Sequence, residues 1–179
     1  ENPFGKDVAN IGLYRSVARY GGYQPLSIVT HGAGDQAALA AAFDPQGVAT
    51  SRLEAVHLLN QPAVASCGAV LHGFPRLRDM AWLRRRALGD AAYSLIGMIH
   101  TLAPPEIRKK ISLSTLAPVQ PWDAVICTSP AVQAAAAELF DAWDDHARDR
   151  FGGVPPRPAL PLIPLGVDGA RMAALADRP

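Results

Sequence analysis

Three histidines stand where an α/β protein most easily builds chemistry, because His31, His72 and His100 each follow an apolar run of strand character. Open α/β sheets present their ligands at the carboxyl ends of the strands. Imidazole is also the one side chain whose ordinary pKa lets it give or take a proton near neutrality. The same residues would equally serve as strand-end caps that bond through their ring nitrogens and meet no ligand. A zinc site is not expected, since no two of them share ligand spacing on one helix and no acid stands beside them.

Two further groupings carry a chemical reading beside a plain one. Gly32-Ala33-Gly34-Asp35-Gln36 follows a strand-like run and opens a helical one, as in turns where a dinucleotide pyrophosphate meets a helix N-terminus. The acid that should hold the ribose about 20 residues later is missing, for the next strand ends in Leu59 and Asn60, and a plain tight turn also accounts for the glycines. Arg76, Arg78, Arg84, Arg85 and Arg86 crowd one helical segment, and Arg108, Lys109 and Lys110 the next. Such clusters would suit an anionic lipid surface or a phosphorylated acceptor, or would simply form a solvated helix face interrupted by Asp79 and Glu106. There is no G-x-S-x-G elbow and no P-loop, so esterase and nucleoside triphosphatase chemistry find no support.

The elements that must position these groups alternate along the chain. Strand-like runs at 26–30, 55–59, 68–72, 93–100, 124–128 and 160–164 are separated by helical periodicity at 7–20, 36–43, 77–87, 105–116 and 130–150. That order predicts a Rossmann-like, three-layer α/β/α domain with a mostly parallel sheet. The last helix is the most strongly marked: Val132, Ala136, Leu139, Phe140, Trp143, Ala147 and Phe151 form one stripe, Ser129 stands at its N-cap, Pro130 follows, and Gly152 ends it. Prolines 155, 156, 158, 161 and 164 favour extended chain beyond it. The segment 2–6 has the character of a loop that follows a first strand, so a strand is expected upstream of it.

Composition bounds the rest. A chain of 179 residues, 49% hydrophobic and 18% charged, suits one α/β domain with a buried core. The net charge of +1 supplies no global field for nucleic acid, so no nucleic-acid partner is expected. Cys67 and Cys127 lack CxxC spacing and lie in apolar stretches, which reads as two buried thiols in a reducing compartment, the cytoplasm. No apolar run reaches the length of a membrane span, and the first six residues lack signal-peptide character.

From Trp122 onward the chain resembles the retaining GT-B glycosyltransferases, the glycosyltransferase family 4-like group. Trp122-Asp123-Ala124-Val125-Ile126-Cys127-Thr128-Ser129 looks like that family's late strand running into a helix-capping serine, and Leu162-Ile163-Pro164-Leu165-Gly166-Val167-Asp168 is similar to its interdomain "IPxGVD" segment. Looser matches fall in the same order upstream: Gly5-Lys6 to the loop after the first strand, Val70-Leu71-His72 and Met98-Ile99-His100-Thr101 to two strand ends. The family's loop carries two adjacent glycines, whereas here only Gly5 is present.

The resemblance implies the N-terminal, acceptor-side half of a GT-B enzyme over 1–168, with 169–179 starting the linker to a C-terminal donor-binding domain. It implies hexosyl transfer from a nucleotide-diphosphate sugar, a co-substrate held mainly by that other domain, with no metal and no resident cofactor. On the same ground His100 would be catalytic, facing the transferred sugar or the acceptor hydroxyl. Gly5 and Lys6 would line the cleft floor near the diphosphate, and His72, Thr101 and Ser129 would contact the acceptor. The partners implied are a sugar or glycolipid acceptor and the chain's own donor domain, with peripheral membrane contact through the basic clusters. The alternative is a stand-alone Rossmann-like module that binds a nucleotide or a partner without catalysis.

Overall fold

A computed structural model describes residues 5–167 and 169–176; the start of the expected loop at 2–6, Asp168 and 177–179 lie outside the described residues. Its order is α1 (Lys6–Tyr20), β1 (Leu26–Thr30), α2 (Gln36–Phe43), β2 (Leu53–His57), α3 (Gln61–Ala65), β3 (Ala69–Leu71), α4 (Leu77–Ala87), β4 (Ser94–Ile99), α5 (Pro105–Ser112) with a 3-10 turn (Leu113–Leu116), β5 (Ala124–Cys127), α6 (Pro130–Phe151) and α7 (Gly169–Ala176). All strand pairs are parallel, the arrangement that alternating strands and helices demand when each crossover runs back through a helix. The class is therefore the expected Rossmann-like α/β.

The sheet itself is divided. β1 pairs with β2 from Leu26↔Leu53 to Thr30↔His57, and separately β3-β4-β5 pair in that order, so one continuous sheet is not what forms among the described residues. β4 is central in its sheet and its run Leu95, Met98 and Ile99 is buried. Around it Leu77, Ala81, Tyr93, Ile111, Val119, Val125, Cys127, Ala136 and Phe140 close the core, which reaches β2 through Val56 and α3 through Val64. β1 by contrast is only half-buried along its length.

Most elements keep the expected bounds, and the departures have local causes. The strand expected at 55–59 lies two residues earlier, because Leu58 and Leu59 extend the apolar run into a turn where His57 Nδ1 accepts from the Leu59 amide at 3.1 Å. The extended run at 160–164 forms two bridges to β5 instead of a strand, Ala124↔Ala159 and Cys127↔Leu162. Pro161 lacks an N–H and contributes only its carbonyl, to Cys127, so a regular ladder cannot continue. The five-residue α3, capped by Asn60, is too short to print a helical period. On α6 the expected stripe holds as far as Ala147, but Phe151 is 71% exposed, and Asp144 is buried on that helix within 3.4 Å of Arg157. The segment expected to begin a linker is helical over Gly169–Ala176.

One charge is buried outright. Arg84, grouped by sequence with a basic surface cluster, is 0% exposed on the inner face of α4 and lies 2.7 and 2.8 Å from the two carboxylate oxygens of Asp123. Its guanidinium also donates to the carbonyls of Tyr93 and Pro118, while Asp123 accepts from the amides of Leu95 and Gln120. The bidentate pair pins the amino-terminal ends of β4 and β5. The cysteine expectation also divides: Cys127 is buried, and burial pushes its thiol pKa up, but Cys67 is exposed at the end of α3.

Candidate active site at the strand tips

Because β3 and β4 run parallel in register Ala69↔Ser94 to Leu71↔Ile96, His72 and His100 leave the sheet at the same carboxyl edge. His31 follows β1 and bears electrostatically on His72. The cluster is held from a residue that sequence reasoning did not single out. Asn10, buried in the second turn of α1, donates from Nδ2 to the Gly73 carbonyl at 3.2 Å and turns Oδ1 toward His100 Nε2 at 2.8 Å. With the amide thus oriented, its oxygen calls for a proton on Nε2, leaving Nδ1 as the basic nitrogen of the neutral ring.

Gly73 makes this contact sterically exclusive. A Cβ at that position would lie 2.5 Å from the Asn10 side-chain atoms, so a larger residue would push Asn10 away from the histidine. One helical turn beyond Asn10, Tyr14 also reaches Gly73; burial pushes its phenol pKa up, partly countered by the Gly73 backbone. Asn10 and Tyr14 sit at i, i+4 on one face of α1, and that polar pair pointing toward a glycine-bearing strand end was the available signal.

His72 is half-buried, and that desolvation lowers its pKa. A ring-nitrogen contact with the Phe74 carbonyl at 3.2 Å opposes the shift, while Arg76 and His31 add to it. The ring is therefore neutral at pH 7 and packs against Phe74 with centroids 5.5 Å apart. Among the described residues no group of three or more His, Cys, Asp or Glu could hold a metal ion.

The other expected site residues divide by what engages them. Gly5 is exposed at the start of α1 with φ 54, and its carbonyl accepts from Ala9. Lys6 opens the same helix, and its side chain lies outside the described residues. Thr101 is exposed next to His100, and its hydroxyl accepts from the Ala103 amide at 3.2 Å. Ser129 lies at the tip of β5, where its hydroxyl caps α6 by accepting from Val132 at 3.2 Å. A neighbouring hydroxyl, Thr128, ties the tips of β4 and β5 by donating to the Ile99 carbonyl.

The glycine turn after β1 has a packing role. Asp35 caps α2 by accepting from Ala37, and a Cβ on Gly34 would lie 2.1 Å from that of Ala55 on β2. Of the remaining basic residues, Arg85 pairs with Asp90 and Arg108 donates to the Leu102 and Ala103 carbonyls, while the others line two shallow grooves. One, about 480 Å³, is bounded by Arg78, Asp79, Trp82, Leu83 and Arg86; the other, about 200 Å³, lies where Arg76 and Arg78 face Lys109 and Lys110. Asp79 and Glu106 stand in the second. Among the described residues no helix is long and apolar enough to cross a membrane.

Comparison with family models, curated proteins and solved structures finds no match for this chain.

Proposed function

We propose that this chain forms the acceptor-side half of a GT-B glycosyltransferase that moves a hexosyl group from a nucleotide-diphosphate sugar to a sugar or glycolipid acceptor. The observation that supports it is the convergence of His72 and His100 on one carboxyl edge of a parallel sheet, with Asn10 fixing the His100 tautomer. In this reading the donor sits on a C-terminal domain, and His100 meets the transferred sugar or the acceptor hydroxyl. Neutral His72, Thr101 and the β5 tip near Ser129 form the acceptor wall, while Gly5 and Lys6 border the diphosphate. The basic grooves beside α4 would bring the acceptor's membrane near.

The reading has a direct test. Joined to its donor domain, the protein should hydrolyse or transfer from a nucleotide sugar, and His100→Ala should lower kcat by at least about 100-fold, the scale on which a positioned acid or base acts. Unchanged turnover in His100→Ala would remove that residue from catalysis. Calorimetry on the 179-residue chain separates the other class of function: micromolar binding of a free nucleoside diphosphate would favour a stand-alone nucleotide-binding module and overturn the acceptor-half reading.

A further inference from the structure

The two sheets each end in an open edge, and the course of α1 says what belongs between them. Along β1, Leu26 donates to Arg52 and Thr30 accepts from Leu58, so even-numbered residues turn their backbone groups toward β2. Ser27 and Val29 therefore point theirs to the opposite edge, where no backbone partner exists among the described residues. On β3, Gly68 accepts from Ser94 and His72 donates to Ile96, which leaves Ala69 and Leu71 facing away from β4, again without a backbone partner among the described residues. Two rows of main-chain donors and acceptors are thus open, one on each sheet.

α1 has the course of a crossover helix. Its second turn lies at the tip of β3, where Asn10 binds Gly73. Its last turn lies at the entry to β2, where Ala18 accepts from Thr50 and Ser51. It packs alongside α2, which likewise runs from strand tip to strand base, and Arg15 Nε donates to Ala42 at that helix's end. Right-handed crossovers whose helices share one face step across a sheet in one direction. Since β1-α2-β2 steps from β1 to β2, a strand feeding α1 must lie on the other side of β1, against the Ser27 and Val29 edge. The α1 start beside Gly73 puts β3 on that strand's far side.

We infer that the Ser27/Val29 edge and the Ala69/Leu71 edge flank one slot, which takes a single extended strand of polypeptide joined to Glu1, parallel to both neighbours and leading into α1. The strand would be about five residues long to match β1, and apolar on both faces, as strands between two helical layers are. With it the order becomes β2-β1-inserted strand-β3-β4-β5, and the divided sheet becomes continuous. The inference rests on backbone edges and helix course and stands whether or not the chain transfers sugar.

The test is amide hydrogen exchange on the 179-residue chain, alone and with six residues fused ahead of Glu1, either Lys-Val-Leu-Val-Val-Thr or Gly-Ser-Gly-Ser-Gly-Ser. The apolar extension should slow exchange at Ser27, Val29, Ala69 and Leu71 at least tenfold and raise Tm, and the Gly/Ser extension should do neither. Equal exchange with both extensions would overturn the inference. So would amides at these four positions already as protected in the unextended chain as those of Ile28 and Val70. Concentration-dependent protection with dimer formation would assign the edges to a second copy instead. Equal protection by the free hexapeptide would show that the slot does not require a strand tethered to α1.

Discussion

Removing the carboxylate of Asp123 should be the most damaging single change outside the site, because it strands a cation that has no route to water. In Asp123→Ala the Arg84 guanidinium, 0% exposed, keeps the carbonyls of Tyr93 and Pro118 but loses its counter-charge, and the amides of Leu95 and Gln120 lose their acceptor. Breaking a buried pair from one side costs about 3–5 kcal/mol, against a domain stability of roughly 5–15 kcal/mol. With a urea dependence of about 2 kcal/mol per molar, the unfolding midpoint should fall by about 2 M. Arg84→Met should cost less. A lone buried carboxylate retains two amide donors and can take up a proton, an escape that a guanidinium lacks. The double variant Arg84→Met/Asp123→Ala should recover part of the loss but not all, since the Tyr93 carbonyl and the Leu95 and Gln120 amides remain without these partners, while Pro118 keeps Gln120 Nε2. Urea titrations followed by tryptophan fluorescence and circular dichroism measure all three. A cost under about 1 kcal/mol for Asp123→Ala, or a double variant equal to the sum of the singles, would refute the coupling.

Two further outcomes follow from the site and its scaffold. His72 has a folded pKa below its unfolded value near 6.5, so the unfolded chain binds its proton first; its contribution is fully present above pH 6.5 and is lost as pH falls from there toward the folded pKa. Stability measured from pH 7.5 to 5 should therefore decline less steeply in His72→Gln, and an identical slope would exclude His72 as a source. Gly34→Ala should destabilise by about 1–3 kcal/mol, because the new methyl must displace Ala55 or move α2 from β2; an unchanged Tm would show that the contact yields freely.

What the sequence discloses depends on how local the signal is. Ser129, Pro130, the apolar stripe and Gly152 define α6 within a residue of its observed ends, because capping and periodicity are both written inside the helix. The positions of His72 and His100 beyond β3 and β4 were legible for the same reason. Arg84 was misplaced because a row of arginines does not say which one turns inward. Its spacing from Leu77 and Ala81 puts it on the buried face, and the deciding partner, Asp123, lies 39 residues away. Asn10 is a contact of still longer range, 63 residues from Gly73 and 90 from His100, and its spacing from Tyr14 on one face of α1 marks a polar face without saying what that face meets. The division of the sheet was hidden too, since an open edge is the absence of a pairing and leaves no local trace in the strands that border it.

The two polar constellations occupy opposite ends of the same strands, and that placement bears on how the site is kept in order. Arg84 and Asp123 fix the entries of β4 and β5, while His100, Thr128 and Asn10 stand at the exits. The pairing from Ile96↔Ala124 to Ile99↔Cys127 transmits the register between them. A one-residue slip of β4 would turn its buried Leu95 and Ile99 to the other face and carry His100 off the Asn10 amide at once. Because Asp123 accepts from Leu95 on β4 while itself leading into β5, it opposes that slip directly. The buried pair thus constrains where His100 sits without touching it, and the strand tips remain available for chemistry that need not also hold the sheet together.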